Sequence, residues 1–249
     1  VGATVNITTA RPFDIDGFKA VGSVAGSYEQ NADKINPRVS GLVSNTFADG
    51  KFGVLFAASY QTRDTRLDQA QTDGWLENVG IPTSELNGGA GVTGNVFSPR
   101  NFDNKVTFEE RTRTNASLVL QYAPSDTLEI TLDGLYSNFN VETDATSFGH
   151  WFTAPNIENA VTDSNGTVID LYQEVGLATD FHAKTFDRLT ETSSVGFKAD
   201  WDASENFNVT FDANYSKSER EANNGGGNQL SLIGYANRVR FQSDDSVLP

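Results

Sequence analysis

From Phe52 to Tyr60 the chain reads Phe-Gly-Val-Leu-Phe-Ala-Ala-Ser-Tyr, with an apolar or aromatic residue at every second position (Phe52, Val54, Phe56, Ala58, Tyr60). Successive side chains of a strand point to opposite faces of the pleat, so a period of two predicts a β-strand with one apolar face. The frame returns at Leu128, Ile130, Leu132, Gly134 and Tyr136, and again at Phe207, Val209, Phe211, Ala213 and Tyr215. Polar residues stand between them: Glu129, Thr131 and Asp133 in one copy, Asn208, Thr210, Asp212 and Asn214 in the other.

Four further segments alternate in the same way. They run from about Phe18 to Tyr28, Arg38 to Phe47, Thr114 to Tyr122 and Val195 to Trp201. Together these give about seven predicted strands, none interrupted by proline, which cannot donate to a ladder. Turns of about four residues follow Phe47, Tyr122 and Trp201; the first, Ala48-Asp49-Gly50-Lys51, carries the Asp-Gly pair that supplies positive φ in hairpins. Long polar segments without a sustained period occupy about 64–105, 143–189 and 221–249, and Asn165-Gly166 marks a minor hairpin inside the second.

Composition narrows the function classes. A formal charge of −15 argues against nucleic acid, because phosphate binding needs a basic surface. Cysteine is absent, which removes disulfides, thiol nucleophiles and thiolate metal sites. The chain has no methionine and opens mid-pattern, so it is expected to be a fragment of a longer protein. As an isolated piece, it would leave two open sheet edges.

Short turns alternating with long loops, and aromatics where strands end, are the pattern of an outer-membrane barrel: short periplasmic turns, long outer loops and two aromatic girdles. The seven apolar faces contain no Asp, Glu, Lys or Arg, although 20% of the chain is charged. Lipid demands this, since a charge at the bilayer midplane costs about 2–4 kcal/mol. Eight steps of about 3.3 Å from Phe52 to Tyr60, tilted near 40°, span roughly 20 Å of the apolar band. The expected fold is an all-β, antiparallel up-and-down transmembrane β-barrel, incomplete, with about seven strands of a larger one. Its environment would be the lipid of the outer membrane of a Gram-negative bacterium.

The opening Gly2-Ala3-Thr4-Val5-Asn6-Ile7, followed by Ala10-Arg11-Pro12, resembles the last plug strand of TonB-dependent outer-membrane receptors and the crossing into their barrel. Three later stretches are similar to the first strands of such barrels: Asn45-Thr46-Phe47-Ala48-Asp49 with Phe52-Gly53-Val54-Leu55, Leu120-Gln121-Tyr122-Ala123-Pro124-Ser125-Asp126, and Asp133-Gly134-Leu135-Tyr136-Ser137. The likeness is to the Caulobacter- and Xanthomonas-type subgroup, many of whose members are linked to carbohydrate uptake. It implies that residues 1–12 end a plug domain and 13–249 begin a barrel of about 22 strands. It also implies import of a small-molecule or oligosaccharide nutrient, a carbohydrate in preference to a ferric siderophore, energised by the inner-membrane TonB complex through plug residues outside this sequence. Two other readings stay open: a passive porin-like channel, and a soluble extracellular β-sheet module for binding or adhesion.

Enzymatic chemistry finds no residue set, and no cofactor or metal is expected. Gly89-Ala90-Gly91-Val92-Thr93-Gly94 has dinucleotide-fingerprint spacing but neither the preceding strand nor the following helix that the motif requires. Asp163-Ser164-Asn165-Gly166 with Asp170 offers too few oxygens for calcium and reads as a turn. Glu129 and Asp133, four residues apart on one strand face, lie roughly 13 Å from each other, too wide for a glycosidase pair. His150 and His182 lack a helical His-Glu motif. Candidate ligand contacts are the aromatic and imidazole groups of the long loops: Trp75 in the first, and His150, Trp151, Phe152, Tyr172 and Phe181 in the second. Flat rings in polar loops suit stacking on sugar faces. In the complete protein, Trp151→Ala is expected to weaken substrate binding in a calorimetric titration while membrane assembly is unchanged; unaltered affinity removes Trp151 from the site.

Overall fold

The structure, a computed structural model, describes residues 9–77, 80–88, 96–173, 179–222 and 228–243. The opening motif Gly2 to Ile7 and the glycines at 89–94 lie outside them. The described residues form fourteen strands and three short 3-10 turns, with no α-helix. The strands are β1 (Lys19–Glu29), β2 (Lys34–Phe47), β3 (Phe52–Gln71), β4 (Trp75–Glu77), β5 (Leu86–Gly88), β6 (Phe97–Pro99) and β7 (Asn101–Ser125). They continue with β8 (Leu128–Trp151), β9 (Ile157–Thr162), β10 (Val168–Gln173), β11 (Thr179–Ser204), β12 (Phe207–Glu221), β13 (Asn228–Tyr235) and β14 (Val239–Gln242).

The main sheet has the order β1-β2-β3-β7-β8-β11-β12, and β13 also pairs with β11. A second sheet runs β14-β10-β9-β5, and β4 pairs with β6. The fold is therefore all-β with antiparallel sheets, apart from the short parallel pairing of β5 with β9. No helix is long and apolar enough to cross a membrane, which leaves strand crossing untouched. The chain divides into two compact units: residues 1–65, 109–142 and 186–227 form the first, and residues 66–108, 143–185 and 228–249 the second.

In the first unit the expected alternation becomes two chemically distinct sheet faces. Cross-strand register sets Val24 beside Val39, Val39 beside Tyr60, Phe47 beside Phe52 and Trp201 beside Val209. Neighbouring rings touch along this face, Phe47 with Phe52 at 6.3 Å and Phe197 with Phe211 at 6.0 Å between centroids. These residues are not buried: Phe56 is 49% exposed, Phe211 57% and Val24 81%. Along β1 and β12 both faces are exposed. On the middle strands the opposite face is more polar and better covered, with Asn36, Ser44, Gln121 and Thr131 buried beside Leu55, although Leu135 stands exposed on it. This inverts a soluble sheet, in which the large apolar residues turn inward.

A short N-terminal segment sits on the polar face. Phe13 N–H donates to Gln121 Oε1 at 2.8 Å, and Gln121 Nε2 donates in turn to Glu129 Oε1 at 2.7 Å. Gly53 makes the approach possible, because a Cβ there would lie 2.5 Å from Pro12 Cβ and 3.0 Å from the Phe13 ring.

The β2–β3 turn uses positive φ at Ala48 (53°), Asp49 (54°) and Gly50 (83°), closed by Lys51 N–H donating to Ala48 O. The turns after β7 and β11 are tighter than expected, leaving residues 126–127 and 205–206 between strands. Proline also enters strands, contrary to the sequence reading. Pro37 lies in β2 and Pro124 in β7, and Pro99 ends β6. Pro37 stands one residue beyond Arg38–Gln61, the last β2–β3 pair, so its missing N–H interrupts no bond to β3.

The long segments are not structureless. β3 continues to Gln71, β7 begins at Asn101, β8 reaches Trp151 and β11 begins at Thr179. Beyond the tyrosine row the formerly apolar face turns polar, at Asp64, Arg66 and Asp68, so the period of two fades although the strand does not. Between these ends the second unit builds its own core from Ile81, Val96, Ile157, Val168, Leu171 and Phe241. The minor hairpin expected at Asn165-Gly166 is the β9–β10 turn. Asp163 Oδ1 accepts from the N–H groups of Asn165 and Thr167, each at 2.8 Å, and Gly166 takes φ 86°.

Replacing Gly53 by Ala is expected to lift the Pro12-Phe13 segment off the sheet. Hydrogen–deuterium exchange in the peptide containing Phe13 should rise by roughly an order of magnitude, the loss of about one hydrogen bond, and unchanged protection would contradict the seating described.

Candidate functional site

Each unit offers ligand-sized space among its described residues. In the first unit a cavity of about 320 Å³ is lined by Ser23, Ser40, Ser59 and Asn115 together with the apolar Val21, Leu42 and Leu135, among others. Small side chains at paired positions, Ser23 with Ser40 and Ser40 with Ser59, keep it open. Its wall is fixed by a relay in which Ser137 Oγ donates to Asn115 Oδ1 at 2.7 Å and Asn115 Nδ2 donates to Ser59 Oγ at 3.0 Å.

In the second unit a cavity of about 640 Å³ is lined by Arg66, Asp68, Asn104, Lys105, Phe148 and Phe181, among others. That volume is within the usual range for ligand pockets, about 300–1,000 Å³. Phe148 and Phe181 stand 4.7 Å apart between centroids, tilted by 40°. Arg66 pairs with Asp68 at 3.0 Å and lies over the Phe108 ring at 5.4 Å. The site can hydrogen-bond through guanidinium, ammonium and amide groups while offering ring faces to apolar surface.

The six candidate residues fall into separate places. His150 and Phe181 come together through Phe148, which packs edge-on to His150 at 4.6 Å. Trp151 lies under Arg100, 5.8 Å from its ring centroid, and its carbonyl accepts from Gln173 Nε2. Phe152 packs against Phe241 and the second unit's core. Tyr172 has two guanidinium groups over its ring, Arg238 at 5.6 Å and Arg240 at 5.3 Å. Trp75 stands on β4 opposite Pro99, 40% exposed.

Phe148 was missed because its neighbours in sequence show no apolar period; only its spacing of two from His150 on an extended strand signalled a shared face. The residues weighed for other chemistry are engaged elsewhere. Asp170 forms a forked pair with Arg240 at 3.0 and 2.7 Å, which holds its carboxyl below the usual carboxylate range against the opposing effect of burial. Asp163 caps its turn, Glu129 accepts from Gln121, and Asp133 lies over Gly196. His182 Nε2 is 3.9 Å from Asp180 Oδ2, beyond hydrogen-bonding distance.

His150 Nδ1 and Thr179 Oγ1 are 2.9 Å apart, and Thr179 Oγ1 donates onward to Asn237 Oδ1 at 2.5 Å. Burial pushes the imidazole below its ordinary value of 6.5, with Asp180 acting weakly the other way. No family model matches the chain, and no curated protein matches it either.

The pH dependence of this junction follows from the sign of the His150 shift. A depressed folded-state value means that the unfolded chain binds the proton first, so His150's contribution to stability declines as pH falls below 6.5 and toward the lowered value. An NMR titration of His150 should give a midpoint below 6.5, and His150→Gln should remove this part of the pH dependence of local exchange at Thr179. A midpoint at or above 6.5 would contradict the burial argument.

Proposed function

We propose that the chain is part of the wall of a TonB-dependent outer-membrane transporter that binds and imports a nutrient, a carbohydrate in preference to a ferric siderophore. One observation carries the reading: the sheet exposes large apolar side chains on one face while the other, more polar face seats Pro12-Phe13 against Gly53 and Gln121. An apolar face turned to lipid and a polar lumen partly filled by a preceding segment have this arrangement. A passive porin explains the faces but not the seated segment. Energy reaches such a transporter from the inner-membrane TonB complex through its plug, and Arg11 to Phe13 serves as the crossing from plug to barrel. The long strands and the second unit then form the ligand-capturing surface, and the chain performs no covalent chemistry.

A soluble module and a lipid-facing wall respond differently to charge on this face. Phe211 is already 57% exposed, so a soluble module should tolerate Phe211→Arg within about 0.5 kcal/mol, as exposed substitutions generally do. In lipid the same change should cost about 2–4 kcal/mol near the midplane, whereas Thr210→Arg on the polar face should be tolerated. The measurement is heat-modifiable migration of the full-length protein in the outer-membrane fraction. Loss of the folded band for Phe211→Arg alone supports the wall; equal tolerance of both, or recovery of the protein in the soluble fraction, overturns it.

A further inference from the structure

The charges on the polar face of the first unit are sorted along the strands. Near the tight turns the face gathers the carboxylates Glu129, Asp133, Asp200 and Asp212, together with the cations Lys198 and Lys19 and with Arg11, which acts on Asp200. The middle is small and neutral, at Ser23, Ser40, Ala57 and Ser59. At the far end it carries six arginines: Arg38 on β2, Arg63 on β3, Arg111 and Arg113 on β7, Arg188 on β11 and Arg220 on β12.

Register puts them on this face. Arg38 pairs with Gln61, two residues beyond Ser59, and Arg63 follows at the next position of the same parity. Asn115 bonds to Ser59 and Ser137, so Arg113 and Arg111 are the next positions of that face on β7, and Phe139 the next on β8. Two arginines converge on Phe139, with Arg113 at 4.2 Å and Arg188 at 5.9 Å from the ring centroid. Arg220, opposite Thr190, lies 5.9 Å from the Phe186 ring.

Counter-charge is scarce there. Glu109 pairs with Arg111, and Glu29 stands opposite Lys34 at the end of β1. Among the described residues Arg38, Arg63, Arg113, Arg188 and Arg220 have no carboxylate within ion-pair distance. The Nε atoms of Arg111 and Arg188 are buried without a hydrogen-bond acceptor. In a chain of formal charge −15, gathering cations in one place opposes the average field. Unpaired guanidinium groups also repel one another and leave donors unmet.

We infer that this cluster is a recognition site for a carboxylate-bearing oligosaccharide, such as an oligouronide, an inference that rests on the transporter reading and narrows its substrate class. The planar guanidinium fork matches a carboxylate with two parallel hydrogen bonds. Six arginines spread over five strands suit a chain of regularly spaced anions rather than one. Phe139 and Phe186, lying among them, offer flat apolar faces to the C–H faces of sugar rings. A neutral sugar would leave the guanidinium groups unpaired and is selected against.

The test uses the full-length protein purified from the outer membrane, with oligogalacturonate and a maltooligosaccharide of equal length as probes in a calorimetric titration. The expected result is binding of the uronide that weakens with added salt, together with much weaker binding of the neutral sugar. Arg113→Gln/Arg188→Gln should reduce uronide affinity about tenfold or more, from two lost charge-assisted contacts. Arg113→Lys/Arg188→Lys should recover only part of it, because the charge returns without the fork. Heat-modifiable migration checks the fold of each variant, and Arg188→Gln alone replaces the pair if the double variant fails to assemble. The inference is overturned if the folded wild-type protein does not bind the uronide, if it binds the neutral sugar equally well, or if the glutamine variants keep full uronide affinity. Failure of the transporter reading is distinguishable, since it appears as recovery in the soluble fraction before any sugar is added.

Discussion

The rest of the first unit depends on one constraint: its sheet turns its largest apolar side chains away from its own polar contacts and leaves them uncovered. Burying a Phe, Val or Leu side chain contributes about 1.5–3 kcal/mol, and this sheet forgoes that gain at Phe56, Leu132, Phe211 and many others. On the proposed reading, lipid supplies the apolar surrounding that the chain itself does not. In lipid, the backbone must also satisfy its own hydrogen bonds, and continuous ladders from β1 through β12 do so along the sheet.

The polar face is then free to do what an apolar core could not. It holds the Gln121–Glu129 pair that anchors Phe13, the serine-lined hollow, and the graded charge from carboxylates near the turns to arginines at the far end. Close backbone approach at Gly53 fixes the seated segment by shape, and the Gln121 side chain fixes it by polarity. On the proposed reading the two faces divide the work, with anchoring on one and recognition on the other.

How much of this was readable from the sequence depended on whether one face of a strand was apolar. Where it was, as at Phe52 to Tyr60 and Phe207 to Tyr215, strand position and face could be read directly, and the observed strands agree. Beyond the tyrosines the same strands became invisible, because Asp64, Arg66 and Asp68 give no contrast with their neighbours. The second unit's core was illegible for another reason: Ile81, Ile157 and Phe241 meet from three distant segments, and no local period encodes such a meeting. Of the candidate site, the aromatic residues were found, but not their grouping; Phe148 joins His150 to Phe181, and the arginines around Phe139 become a cluster only when β7, β8 and β11 lie side by side.

The second unit is assembled from residues 66–108, 143–185 and 228–249, each stretch separated from the next by a return through the first unit. Its four-stranded sheet takes β5 from the first stretch, β9 and β10 from the second and β14 from the third. No single loop is therefore a module. Exchanging one loop between related proteins would carry away part of a shared core and leave the other two stretches with unpaired edges. If the unit captures ligand as proposed, new preferences would arise by substitutions spread over all three stretches, or by changes that leave their common core intact.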